Sequence, residues 1–204
     1  MARYTGSVCK LCRRYNEKLM LKGSRCLTPK CATERQSKTR SRRRRVSDRG
    51  LQLHEKQKVR YTYGVLERQF RRIFVQAERQ SGITADNLAV LLEKRLDNVV
   101  FRLGFADSRA QARQLVQHGH ITLNGRKTDI PSCVVKEGDT IGWRKSSIKS
   151  EYYKQLVEVI QAKSVASWLS LDRENLVGQI LSLPTPDDIG ANFDGKAIVE
   201  YYSR

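Results

Sequence analysis

Between residues 65 and 118 apolar side chains recur three and four positions apart. That spacing gathers them onto one face of a helix. Phe70, Ile73, Phe74 and Ala77 form one such face within a predicted helix over 65–80, whose other side carries Arg68, Arg71, Arg72 and Arg79. Leu88, Leu91, Leu92, Leu96, Val99, Val100 and Leu103 form a second stripe, predicting one long helix that starts at Thr84 or Asp86 and ends before Gly104, a residue suited to the left-handed position after a helix. Asp107-Ser108 can cap a shorter helix over 109–118, with Ala112, Leu115 and Val116 inward and Arg109, Arg113 and Gln117 sharing an exposed face. Ahead of these, Ser47 or Asp48 can cap a helix running to about residue 61, before the break at Gly64.

After Gly119 the period falls to two. Residues 120–123 read as a strand, Asn124-Gly125 as a type I′ hairpin turn, and Arg126-Lys127 as the start of the return strand. Glu137-Gly138-Asp139 is a second turn leading into a strand over 140–143. A helix over 151–163, strands over 168–171 and 179–183, a loop marked by Pro184 and Pro186, and a short helix over 196–202 capped by Asp194 complete the pattern. There is no internal repeat. Residues 1–35 show no sustained period and read as a small fold that needs something other than a core to hold it.

Cysteine supplies the candidate. Cys9, Cys12, Cys26 and Cys31 are spaced Cys-x2-Cys and Cys-x4-Cys, and a Cys-x2-Cys turn can present both thiolates to one ion. Four thiolates suit a closed zinc site; an iron–sulfur cluster is the alternative, and reduced thiols without metal the plainer reading. Cys133, after Pro131-Ser132, reads as a small packed thiol.

Charge then narrows the partner. The 204-residue chain has a formal net charge of +18, and residues 1–72 hold 22 Lys/Arg against 5 Asp/Glu while 73–204 hold 17 against 16. Nearly all the excess is N-terminal, the mark of a phosphate-tracking arm on a balanced body. The run over 37–45, Ser-Lys-Thr-Arg-Ser-Arg-Arg-Arg-Arg, reads either as a solvated linker or as part of that arm. The N-terminus has no apolar run of signal-peptide type and no segment is long enough to span a bilayer. A cytoplasmic protein is therefore expected, in which spaced cysteines favour metal over disulfides.

An enzyme is not expected. The histidines are His54, His118 and His120; no P-loop or nucleophile motif is present, and Asp187-Asp188 read as surface. By contrast, the helix N-terminus at Ser108, the cations Arg109 and Arg113, and the tight turn carrying Arg126 and Lys127 make a surface suited to RNA shape and backbone.

The residues Arg95-Leu96-Asp97-Asn98-Val99-Val100, Asp107-Ser108-Arg109 and His118-Gly119-His120-Ile121-Thr122-Leu123-Asn124-Gly125 resemble the RNA-binding module named after the fourth protein of the small ribosomal subunit. Ala2-Arg3-Tyr4-Thr5-Gly6, Glu67-Arg68-Gln69-Phe70, Trp168-Leu169-Ser170-Leu171 and Glu200-Tyr201-Tyr202-Ser203-Arg204 extend the resemblance over essentially the whole chain, to the bacterial ribosomal family that gave the module its name, in its four-cysteine form. The chain departs from the commonest form of that family in the short, Arg-rich stretch over 37–45.

The resemblance implies an α+β fold: a metal-stapled N-terminal segment, a helical domain, and an inserted RNA-binding module of helices on a small, mostly antiparallel sheet. The expected division is 1–45 for the basic metal-binding segment and linker, 46–92 for the helical domain completed by 194–204, and 93–193 for the module with its extension (core 93–157). It implies a structural, primary 16S ribosomal RNA-binding protein of the small subunit, bound to the ribosome in the cytoplasm. Such a protein nucleates assembly of the subunit body and contributes to translational accuracy, bordering ribosomal protein number five, other small-subunit proteins and the path by which messenger RNA enters. An RNA-modification or ribosome-rescue factor carrying the same module is the alternative, but the chain beyond Trp143 is short for a catalytic domain.

The candidate RNA contacts fall into four groups. The first is Arg3, Arg13, Arg14, Lys22 and Arg25, with Arg42, Arg43, Arg44 and Arg45. The second is Lys56, Lys58 and Arg60. The third is Arg68, Arg71 and Arg72. The last is Ser108, Arg109, Gln111, Arg113, Gln114, His118, His120, Asn124, Gly125, Arg126 and Lys127.

Overall fold

The computed structural model describes residues 4–34, 47–189 and 193–203. Two compact units emerge, Met1–Leu88 with Ala191–Arg204, and Ala89–Gly190.

In the first unit, α1 (Cys9–Tyr15) is followed by a 3-10 turn (Gly23–Leu27), then α2 (Asp48–Thr62) and α3 (Glu67–Glu78). Ser47 caps α2, its hydroxyl accepting from the Gly50 amide at 3.3 Å. The α1 helix has no counterpart in the hydrophobic pattern: it is one short apolar cluster, Leu11, Cys12, Tyr15 and Leu19. Phe70, Phe74 and Ala77 are buried, as their spacing predicts. At the end of α3 the Asn87 amide donates to the carbonyls of Ala77, Gln80 and Ser81, satisfying groups that a helix terminus leaves open.

The tail closes this unit. Helix α9 (Gly195–Tyr202) is capped by Asp194, which accepts from the Lys196 and Ala197 amides at 2.9 and 3.2 Å. It packs on α2. Ile198 is fully buried, and Tyr202 meets Phe74 with ring centroids 4.4 Å apart. Gly195 is required there: a Cβ would lie 2.5 Å from Cβ of Ala85.

The single long helix expected from the leucine stripe is two helices, α4 (Thr84–Glu93) and α5 (Leu96–Arg102). Arg95 between them is extended and bridges Val134, the Leu96 amide donating to Cys133 O at 2.8 Å and the Val135 amide to Lys94 O at 3.0 Å. These non-local bonds take the place of the helical ones. The spacing of apolar residues continues across the break, so periodicity alone could not show it.

The second unit continues with α6 (Arg109–Gln117), β1 (Ile121–Leu123), β2 (Arg126–Lys127), β3 (Thr140–Trp143), α7 (Glu151–Ile160), β4 (Leu169–Asp172), β5 (Val177–Ile180) and a short α8 (Pro186–Ile189). The strand expected over 179–183 thus lies earlier, and the proline-marked loop contains a helical turn. The sheet is antiparallel throughout, in the order β2-β1-β3-β5-β4. The hairpin has the expected turn: Asn124 and Gly125 both have positive φ, 51° and 76°, as a type I′ turn requires.

Helices α5 and α6 pack together, and the core of the unit gathers Leu96, Val99, Val100 and Leu103 with Ile121, Ile141, Ile160 and Ile180. Gly178 lets Leu103 approach β5, since a Cβ there would stand 2.5 Å from both Leu103 methyls. Cys133 is half-buried and packs against this core, as a bland thiol would. The Tyr152 hydroxyl donates to Phe105 O at 2.8 Å, and burial pushes its pKa up to about 12.

Candidate nucleic-acid interface

Four of the expected contacts turn out to be internal cations. Lys56 is only 3% exposed; its ammonium pairs with Glu67 and lies 4.7 Å over the Tyr201 ring. Lys58 is 5% exposed and held between Glu55 at 2.8 Å and Glu17 at 3.2 Å. Burying an ammonium without a partner is prohibitive, and these acids supply the partners. Tyr202 donates to the same Glu67 at 3.1 Å, and burial followed by the Glu67 charge pushes its hydroxyl well above the ordinary tyrosine range.

Arg109 and Arg113 do not share an exposed face either; both turn toward α5. Arg109 Nε donates to Asn98 Oδ1 at 2.7 Å, and its guanidinium lies 4.6 Å over Phe101 and 3.8 Å from Glu93. Arg113 Nη1 donates to Asp97 Oδ2 at 2.8 Å, beside Arg95, which grips the same carboxylate through Nε at 3.1 Å and Nη2 at 2.9 Å. Glu93, with no exposed surface, also receives Arg102 through two bonds of 2.8 Å. The resemblance-bearing run Arg95-Leu96-Asp97-Asn98 is therefore the polar interior of the unit.

Ser108 and Gln111 cap α6. Ser108 Oγ accepts from the Gln111 amide at 3.3 Å, while Gln111 Oε1 accepts from the Asp107 amide at 2.9 Å. Asn124 fastens the hairpin, its amide donating to Asp139 and its carbonyl accepting from the Thr140 amide, both at 2.8 Å. Arg60 is half-buried against Gln57 and the Tyr61 ring, with Glu67 at 3.5 Å.

The remaining described cations face outward. Arg13, Arg14, Lys22 and Arg25 surround the cysteine segment, Arg68, Arg71 and Arg72 line α3, and Arg126 and Lys127 lie on the hairpin, mostly exposed; so are Gln114 and His118. Arg3 and Arg42, Arg43, Arg44 and Arg45 lie outside the described residues. Sequence reasoning missed Arg144, Lys145 and Lys149, exposed on the turn after β3. The signal was present as three cations in a stretch of six residues.

The four cysteines come together. All line one small cavity of about 10 Å³, with Val8, Leu21 and Lys22, and all are free thiols. Burial pushes the Cys12 thiol up, and the other three cysteines add to the effect. The Thr33 amide holds the Cys31 thiol below the usual range. The Lys22 amide donates to Cys26 Sγ at 3.4 Å. Among the described residues, however, no group of three or more His, Cys, Asp or Glu side chains forms a ready metal site. The metal staple expected from the spacing is thus not shown.

In each unit some cations are buried against acids and others stay exposed, and exposed cations of this number suit the class of proteins that bind nucleic-acid phosphates. Comparison with known proteins supplies the family. Residues 3–93 match the "Ribosomal protein S4/S9 N-terminal domain" and residues 94–141 the "S4 domain". The chain is 55% identical to the small ribosomal subunit protein uS4 of Dehalococcoides mccartyi, 52% to that of Pelotomaculum thermopropionicum and 49% to that of Thermus thermophilus, each alignment covering all of both chains. The chain belongs to the uS4 family of small ribosomal subunit proteins.

Proposed function

We propose that the chain is a structural, non-catalytic constituent of the small ribosomal subunit that binds 16S ribosomal RNA. The observation that carries this reading is identity of 49–55% over the full length of relatives bearing that one name. The outward cations of the N-terminal segment, α3 and the hairpin supply the phosphate contacts. The ribosome-bound protein is cytoplasmic, and among the described residues no helix is long and apolar enough to cross a membrane. On sucrose gradients of cell lysate the protein should co-sediment with small subunits. Recovery only in the soluble top fractions would sink the assignment.

The finer reading includes nucleation of the subunit body, a share in translational accuracy, and contact with ribosomal protein number five and with messenger RNA as it enters. It rests on the family resemblance.

Zinc belongs to the same proposal. The Cys-x2-Cys and Cys-x4-Cys spacing, with all four free thiols lining one small cavity, supports a closed site, and Cys9, Cys12, Cys26 and Cys31 would hold the ion. Bound there it would be structural, offsetting thiolate repulsion and fixing a segment with a small core. Native mass spectrometry of the purified chain at neutral pH should show one zinc ion, lost in a Cys9→Ser/Cys12→Ser variant. A metal-free wild-type mass would refute the staple, and iron with visible absorbance would replace zinc by a cluster.

A further inference from the structure

Beside the start of β1, basic side chains from three stretches of chain converge. His118 and His120 flank Gly119, with ring centroids 6.0 Å apart. Lys127 reaches across from β2: a Cβ built on Gly119 would stand 2.4 Å from Lys127 Cε and 3.3 Å from its Nζ, so the lysine side chain lies over the glycine that separates the two histidines. Arg144 enters from the end of β3, its amide donating to His120 O at 2.8 Å. Lys145 follows on the same turn and is exposed.

Among the described residues, none of Lys127, Arg144 and Lys145 is paired to a carboxylate. That sets them apart from Lys56, Lys58, Arg95, Arg102 and Arg113, each of which has one. His120 is faced by Arg144 on the β3 turn, by the Ser147 hydroxyl, 2.9 Å from its Nδ1, and by the end of α6, while Lys127 on β2 lies over Gly119. That helix end is already capped: the amides of His118, Gly119 and His120 donate to the carbonyls of Gln114, Val116 and Leu115. Its partial negative charge is thereby partly offset. Asp139 is engaged with Asn124 at the hairpin tip.

We propose that His118, His120, Lys127 and Arg144 form one phosphate-binding cluster for the RNA backbone, and that His120 takes up a proton as the RNA docks. The site deepens the ribosomal reading and rests on it. In the free protein burial, then His118 and Arg144, holds the His120 imidazole below its ordinary range, so it is neutral at pH 7. A docked phosphodiester supplies the missing negative charge and favours the imidazolium. The bound-state pKa therefore lies above the free-state one. Affinity rises as pH falls through the bound value and levels off below the free one.

The test uses the full chain and 16S ribosomal RNA at fixed salt. Between pH 8 and pH 5.5 the wild type should bind about three- to tenfold more tightly. His118→Gln/His120→Gln should flatten that dependence while His54→Gln, on α2, keeps it. Lys127→Gln/Arg144→Gln should weaken binding about tenfold and reduce the log–log salt slope by about 2. Calorimetry in two buffers of different ionisation enthalpy counts protons without relying on the folding of any variant, and about one should be taken up at pH 6.5. The cluster is overturned if wild type and the double-histidine variant share one pH profile, or if no protons are taken up. Absence of wild-type binding at every pH would overturn the ribosomal reading and the cluster together, whereas tight, salt-steep and pH-independent binding removes the cluster alone.

Discussion

Raising monovalent salt from about 50 to about 200 mM should lower the affinity of this protein for 16S ribosomal RNA by a factor of about 10³ or more. Each Lys or Arg that neutralises a phosphate releases a condensed counterion, and the cost of doing so grows with bulk salt. The outward cations are numerous: Arg13, Arg14, Lys22 and Arg25 near the cysteines, Arg68, Arg71 and Arg72 on α3, Arg126 and Lys127 on the hairpin, and Arg144, Lys145 and Lys149 beyond it. Engagement of about six to ten of them sets the size of the effect. A filter-binding titration at several salt concentrations measures it. A log–log slope near zero would mean that base or shape contacts, not phosphates, carry the affinity.

The second large effect concerns stability. Asp97→Ala should cost the Ala89–Gly190 unit about 3–5 kcal/mol. Asp97 is 4% exposed and is the shared acceptor of Arg95, which is 3% exposed, and of Arg113. Truncating it leaves two guanidinium groups without the carboxylate they were buried against, and desolvation is then uncompensated. Against a domain stability of about 5–15 kcal/mol the loss is severe. Urea denaturation monitored by far-ultraviolet circular dichroism measures it. A change under about 1 kcal/mol, the range of surface ion pairs, would show that water or another group replaces the carboxylate. Variants of Arg109 or Arg113 carry a similar penalty, so their effect on RNA binding cannot be read apart from folding.

Most of the fold was legible in the sequence. The spacing of Phe70, Phe74 and Ala77 gave α3 its buried face, Asn124-Gly125 its turn, and Ser47, Ser108 and Asp194 their caps. These are local: each depends on neighbours within about a turn of helix or a two-residue hairpin. The break at Arg95 was not legible, because it comes from a bridge to Val134, far along the chain. The α1 helix was not either, since its few apolar residues set no period.

The candidate interface divides along the same line. That the protein is basic, that its excess charge is N-terminal, and that four of its cysteines fall in two closely spaced pairs were properties of the chain itself. The sequence could also supply the family, because the residues that carry the resemblance are contiguous. It could not say which cations face water. Lys56, Lys58, Arg109 and Arg113 look no different in sequence from Arg68 or Lys127. Their fate is set by carboxylates brought to them by folding, as when Glu17 meets Lys58 across 41 residues. A charge is stable inside only where an opposite charge is already placed, and that placement exists only in three dimensions. The tertiary structure alone sorted the cations into those that hold the protein together and those left for a partner.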